Sequence, residues 1–303
     1  MSKKSPTISG TLLIILATCG TAVAQDAGDD FVLKSLTMLL AVNTVDASVR
    51  IETFVNGKAY TAIGRYEEQA LTRAAPGLPP PFLRSMYRLD ITFFPLSAEP
   101  NRMTLVCYPG TNGERSRMER YTHIEGVKSF GTIDLTRLEE RLREADREMF
   151  FTQVSEVRNL GGLAGKIRQI SRFYEFSLPV QENLQGEETI PTLKLTGRLR
   201  SVHHRELLSL FGGLNKRGDY PADFPSDIEL WLGRHNDFPY KIRYLRRISE
   251  ESEQKELLFQ ETFSNVIVNG TPIPAARFAP LPPPEDVFSI LDDTDNFIQT
   301  LGL

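Results

Sequence analysis

The side chains able to do chemistry in this chain are few and scattered. Four histidines occur, and the single cluster is His203-His204, with Glu206 three positions beyond the first. Neighbouring residues point apart on a helix or a strand, so the pair is poorly placed to share a metal. His203 and Glu206 would meet on a helix, but two ligands fall short of a metal site. The segment reads as a solvated turn. The acidic pairs Glu67-Glu68, Glu187-Glu188 and Asp292-Asp293 lie in hydrophilic stretches and read as solvated too. A glycosidase-type carboxylate pair meets in space and not along the chain, so spacing leaves it open. There is no G-x-S-x-G, H-E-x-x-H, P-loop or C-x-x-C. Gly161-Gly162 opens a helix, but without the preceding strand and further glycines of a dinucleotide fingerprint. Cys107, in the run Met103-Thr104-Leu105-Val106-Cys107-Tyr108, has no charged activator beside it and reads as a small buried hydrophobe. These residues predict a protein without catalysis, metal or cofactor.

Address supplies what chemistry does not. Lys3 and Lys4 precede an apolar stretch, Leu12 to Ala17, and Ala22-Val23-Ala24 has the small-x-small form of a cleavage site. Residues 1–24 therefore read as a secretory signal peptide, too short in its apolar run to span a bilayer. An alternative is a lipobox at Leu16-Ala17-Thr18-Cys19, with Cys19 acylated, although Thr18 departs from the usual small residue there. Cleavage after Ala24 leaves 279 of the 303 residues and removes two lysines and no acid, taking the net charge from −4 to −6. It also removes Cys19, so the exported chain keeps one thiol and no internal disulfide. A mildly acidic surface without a Lys/Arg run argues against nucleic acid, and no later apolar run is long enough to cross a membrane. The expected location is periplasmic or otherwise exported.

The elements that must position these residues are mostly strands. Phe31 to Val42 reads as a helix capped by Asp30, with Phe31, Leu33, Leu36, Leu39 and Leu40 as its apolar face. Alternation from Val49 to Val55, a turn at Asn56-Gly57 and a return over Lys58 to Tyr66 predict a hairpin. Further strands are expected at Ser85–Phe94, Arg102–Tyr108 and Glu114–Tyr121, the proline-rich 74–81 being a surface crossing. The centre is helical. Asp134 caps a helix carrying Leu135, Leu138, Leu142 and Met149, and a second begins after Gly162 with Leu163, Ile167, Ile170 and Phe173 on one side. Strands resume at Thr192–Arg200, Ile228–Leu232, Lys241–Ile248 and Lys255–Val268, and an amphipathic segment, Phe288 to Leu303, ends the chain. Nine or ten hairpin-linked strands with helices grouped to one side predict an α+β fold: one domain over 25–303, with a helical segment inserted at about 134–173.

The C-terminal third carries a family resemblance. Asp237-Phe238-Pro239-Tyr240-Lys241-Ile242, and then Leu258 to Pro284 with Asn269, Ile273-Pro274 and Phe278, resemble the closing segments of LolA-type lipoprotein carriers. The hairpin at Val49–Tyr66 and the strand opening with Ser85-Met86-Tyr87-Arg88 fit that family's order less specifically. The chain is longer than such a carrier, and 134–160, 181–226 and 292–303 fall outside the pattern. The resemblance implies an incomplete antiparallel β-barrel curved around a hydrophobic cavity, with helices 31–42 and 163–173 as a lid over the concave face. It implies lipid or lipoprotein acyl chains as ligand, with envelope proteins as further partners. Phe54, Tyr66, Tyr87, Leu89, Ile91, Leu105, Trp231, Tyr244 and Phe259 would line the cavity. An inner-strand arginine would bond to the lid, with Arg65 and Arg88 as candidates. Eighteen phenylalanines and nine tyrosines could equally fill a core, which keeps open a structural envelope module without a ligand.

Overall fold

The computed structural model describes residues 12–55, 58–71, 85–94, 101–108, 116–144, 162–186, 188–281 and 291–300. A helix, α1 (Leu12–Ala41), leads into six successive strands: β1 (Thr44–Val55), β2 (Lys58–Ala70), β3 (Ser85–Phe94), β4 (Arg102–Tyr108), β5 (Arg117–Ile124) and β6 (Val127–Asp134). Helices α2 (Leu135–Glu144) and α3 (Gly162–Phe173) follow, then β7 (Tyr174–Phe176), β8 (Val180–Leu184), β9 (Ile190–Leu199) and helix α4 (Ser201–Leu210). The chain continues through β10 (Asp227–Gly233), β11 (Pro239–Arg247), β12 (Lys255–Val268), β13 (Leu291–Asp292) and α5 (Thr294–Thr300).

Thirteen strands join one open sheet in the order β13-β6-β5-β4-β3-β2-β1-β12-β11-β10-β9-β7, with β8 also on β9. Every described pairing is antiparallel except β13 with β6. The chain meanders outward from β1 to β6, begins again at the opposite edge, and meanders inward until β12 pairs with β1. The helical middle of the sequence is the crossing between the two edges. That is why α3 comes to lie against α1 over one face of the sheet.

That face is apolar by register. Ala47, Tyr66, Leu89 and Leu105 stand opposite one another across β1 to β4, all buried. From the helices, Val32, Leu39, Leu163, Ile167, Ile170 and Phe173 pack into the same core. Each buried side chain of this size stabilises by about 1.5–3 kcal/mol, so the helix–sheet layer is the main source of stability.

The helix after Gly162 buries the four residues expected of it. Asp134 caps α2, accepting from the Arg137 amide at 3.0 Å. The boundaries of β3, β4 and β12 match the alternation. Asp30 is not a cap, because α1 runs through it. The buried stripe of α1 is Val32, Ser35 and Leu39, continued by Val42 just beyond its end, while Leu33 and Leu40 are exposed. Gly28 lets α1 come close to β7: a Cβ there would lie 2.3 Å from the Phe176 carbonyl oxygen. The turns at 56–57 and 109–113, and the crossing at 74–81, lie outside the described residues. Four strands, β6, β7, β8 and β13, and helix α4 were not anticipated. The turn into β6 uses Glu125 and Gly126, both at positive φ, a geometry that Glu rarely signals. The histidine pair lies on α4 and not in a solvated turn: His204 Nε2 is 2.8 Å from the Tyr220 hydroxyl, and the His203 ring meets Phe173 edge-on at 4.9 Å.

Candidate functional site

The buried charges lie where α3 meets the sheet. Register runs Val45, Glu68, Tyr87, Cys107, Met118 and Ile133 across β1 to β6, so Glu68 is the one charge in an apolar row. Glu68 is 8% exposed. Its carboxyl accepts from the Ser85 hydroxyl at 2.5 Å, the Tyr66 hydroxyl at 2.6 Å and the Leu163 amide at 3.1 Å. Leu163 stands in the first turn of α3, so Glu68 satisfies a helix N-terminal amide from across the core. Gly162 makes the approach possible. Its φ is +65°, and a Cβ there would sit 2.3 Å from the Glu68 carboxyl.

One turn further on, Lys166 pairs with Glu261 of β12, both side chains almost fully buried. Glu261 is again a lone charge in an apolar row, between Ile51 and Ile242. Two polar ties therefore hold α3 to the sheet. Burial raises the pKa of Glu68, against the hydrogen bonds from Ser85 and Tyr66, the Leu163 amide and the charge of Lys166. Burial, reinforced by Glu68, pushes the Tyr66 phenol well up. Cys107 is fully buried, and its thiol is pushed up to about 12, which makes it unreactive.

A small opening adjoins this cluster. It lies between the end of α1 and the start of α3 and is lined by Leu39, Val42, Thr44, Val45, Glu68, Ser85 and Ala164 among others. Its volume is about 40 Å³. Ligand pockets run to about 300–1,000 Å³, so this space admits water-sized groups and no acyl chain. Thr44 is 6% exposed, and its hydroxyl has no hydrogen-bond partner.

Of the residues expected to line a cavity, Tyr66, Tyr87, Leu89, Ile91, Leu105, Tyr244 and Phe259 share the apolar face under α1 and α3. Tyr66 and Tyr87 stack at 6.2 Å. Trp231 is on the other face, between Lys194 and Lys241 in register, with their ammonium groups 4.8 and 5.0 Å from the ring centre. The side chain of Phe54 lies outside the described residues. Neither candidate arginine is bonded to α1 or α3; Arg88 donates instead to the Arg277 carbonyl, at 3.2 Å, in the short 3-10 turn Ala275–Phe278. Arg65 bonds Asp46 at 2.8 Å and Arg88 bonds Asp90 at 2.7 Å, both on the opposite face, because β2 and β3 bury the alternate positions. Arg277, from the turn Ala275–Phe278, joins that network through Glu67 at 2.5 Å and Asp90 at 3.0 Å. Glu67 and Glu68 are thus buried on opposite faces and are not a solvated pair. Lys166 makes the tie expected of an arginine, from the helix side. Glu68 and Glu261 were missed, although counting by twos from Ala62 and Phe259 puts both on the apolar face. Among the described residues, no three His, Cys, Asp or Glu side chains are grouped to hold a metal, and no helix is long and apolar enough to cross a membrane.

No family model matches the chain, and no curated protein matches it. Solved structures similar to it include a DUF1329 family protein from Desulfovibrio piger, at 11% identity and TM-score 0.36, covering 84% of this chain and 97% of that one. MucB is similar at 15% identity and TM-score 0.37; the match covers 86% of this chain and only 63% of MucB. An outer membrane lipoprotein-sorting protein domain from Vibrio parahaemolyticus is similar at 8% identity and TM-score 0.32, covering 84% and 97% of the two chains.

Proposed function

We propose that this protein is an exported, non-enzymatic binding protein that holds an acyl chain, lipid or lipoprotein between its helices and the apolar face of its sheet. Residues 1–24 are its signal peptide and 25–303 its single working unit. The face under α1 and α3 is the concave side of a half-barrel, and the helices are its lid. The observation that carries this reading is the construction of the roof. An apolar layer of Tyr66, Tyr87, Leu89, Ile91 and Leu105 is covered by helices whose polar ties to it include Glu68 to Leu163 and Lys166 to Glu261. Displacing α3 would expose apolar strands that an acyl chain covers at about 0.8 kcal/mol per methylene. The motif resemblance at Asp237–Ile242 and Leu258–Pro284 supports the same reading.

A second reading, a structural envelope module with a filled core, is favoured by the small opening of about 40 Å³. Native mass spectrometry of protein purified from an exporting host separates the two. Co-purified lipid mass, together with uptake of the uncharged dye N-phenyl-1-naphthylamine, supports the carrier. Lipid-free protein that leaves the dye dark leaves the filled module standing.

A further inference from the structure

We infer that the outer face of the sheet carries a separate site for a small organic anion, a carboxylate on a short apolar stem. It is the groove between the β7 edge and the ion cluster around Asp227. The groove lies on the face away from the roof, so the inference stands apart from the acyl-binding reading above.

Register builds the site. Glu175, Arg198 and Asp227 stand opposite one another across β7, β9 and β10. Their strand neighbours Tyr174, Leu199 and Ile228 belong to the core, so by alternation the charged row lies on the other side of the sheet. Gly197 keeps the strands close there, since a Cβ would lie 2.6 Å from the Ile228 side chain. The groove over the charged row has a volume of about 420 Å³, within the range of ligand pockets. Leu178, just beyond β7, gives it an apolar wall that is 53% exposed. The stems of Arg198, Arg247 and Lys255 add methylenes to that wall.

Charge sets the class. Arg247 at 2.8 Å and Lys255 at 2.7 Å both pair with Asp227, whose side chain is almost fully buried. Burial opposes its ionisation, but bonds from Arg247, Lys255 and Ser226 outweigh that and hold its pKa below the usual carboxylate range. Two cations thus answer one anion. The third, Arg198, is exposed, and its guanidinium makes no hydrogen bond or ion pair among the described residues. The lining therefore holds three cations against Glu175 and Asp227, a positive groove in a chain of net charge −4. Exposed Glu253 reaches Arg247 from the rim at 3.5 Å and is too solvated to cancel it. Arg198 offers the planar fork that fits a carboxylate, and Lys255 keeps two N–H donors beyond the one spent on Asp227. A bare inorganic anion would leave the Leu178 wall in water, whereas an alkyl stem covers it.

The experiment compares octanoate with uncharged octanamide, each below its aggregation threshold, by isothermal titration calorimetry in low salt at about pH 8, where octanoate is ionised. The expected result is at least about tenfold tighter binding of octanoate. Arg198→Gln should remove that preference, and Arg198→Lys should keep part of it. Glu175→Gln, which takes away a competing carboxylate, should tighten octanoate about threefold. Uptake of N-phenyl-1-naphthylamine, which tests the roof, should be the same in the native chain and Arg198→Gln and should not fall when octanoate is added. Equal binding of the two ligands, binding of neither, or a preference for octanoate that survives Arg198→Gln would overturn the anion site. The acyl-binding reading is judged separately, by the dye and by co-purified lipid. The Arg198 guanidinium has no partner to lose, so Arg198→Gln should melt with the native chain; a lowered Tm would assign Arg198 to the fold and overturn its role in binding.

Discussion

Glu68 is buried by its neighbours' register and by a helix that needs its carboxyl, and these two demands oppose each other. Burial favours the protonated acid, whereas Tyr66, Ser85 and the Leu163 amide favour the carboxylate. Burial is the larger of the two effects, so the pKa is raised in the fold. A group with a raised folded pKa contributes stability that is fully present below its unfolded value and lost as pH rises through the folded one. Urea unfolding between about pH 4 and pH 8 should therefore show the native chain losing stability relative to Glu68→Gln as pH rises. A difference that is flat or of opposite slope would refute this. Gly162 makes a separate prediction. Any Cβ there meets the Glu68 carboxyl and forces an unfavourable positive φ, so Gly162→Ala should destabilise by about 1–3 kcal/mol. Glu68→Ala, which clears the space, should recover part of the steric share in the double variant.

At the scale of the element, α3 owes its place more to two polar ties than to its own propensity, for it begins with glycine and carries Gly165 as well. Removing one partner of a buried pair strands the other charge, so Lys166→Met should cost about 3–5 kcal/mol. Lys166→Met combined with Glu261→Leu should recover most of that in denaturant unfolding, because a desolvated pair roughly breaks even against apolar residues. A double variant no better than the single would show that Glu261 has another role. This layer was half legible in the sequence. The apolar stripe Leu163, Ile167, Ile170 and Phe173 shows helical spacing, and β3, β4 and β12 show alternation. What hid Glu68 and Glu261 is that a charged residue on an apolar face looks the same in sequence as one in a solvated stretch. Counting by twos along the strand places them only once an apolar residue such as Ala62 or Phe259 is known to face the core, and pairing with the neighbouring strand decides that. Trp231 was misplaced for the converse reason: an apolar ring under lysine stems on the outer face reads as core. The segment β7–β8 was missed because β7 is three residues long and β8 is largely exposed.

For the whole molecule, the two meanders meet only where β1 pairs with β12, and α1 spans both halves. Near its middle, Asp29 of α1 accepts from the Phe176 amide of β7 at 2.9 Å and pairs with Arg200, while the end of α1 enters β1. The roof thus links a sheet edge to the sheet centre, and the space below it is packed with residues at or near zero exposure. The acyl chain proposed above would enter this space only after the roof shifts, so its uptake would be gated by a conformational step. The rate of N-phenyl-1-naphthylamine uptake, followed by stopped-flow fluorescence, should therefore rise with dye concentration and then level off at the opening rate. Lys166→Met, with one tie cut, should raise that plateau by about tenfold or more, as a loss of at least about 1.4 kcal/mol from the closed state requires. Uptake that stays linear in dye concentration would place the dye on the surface, and a plateau unmoved by Lys166→Met would mean that α3 is not the element that opens.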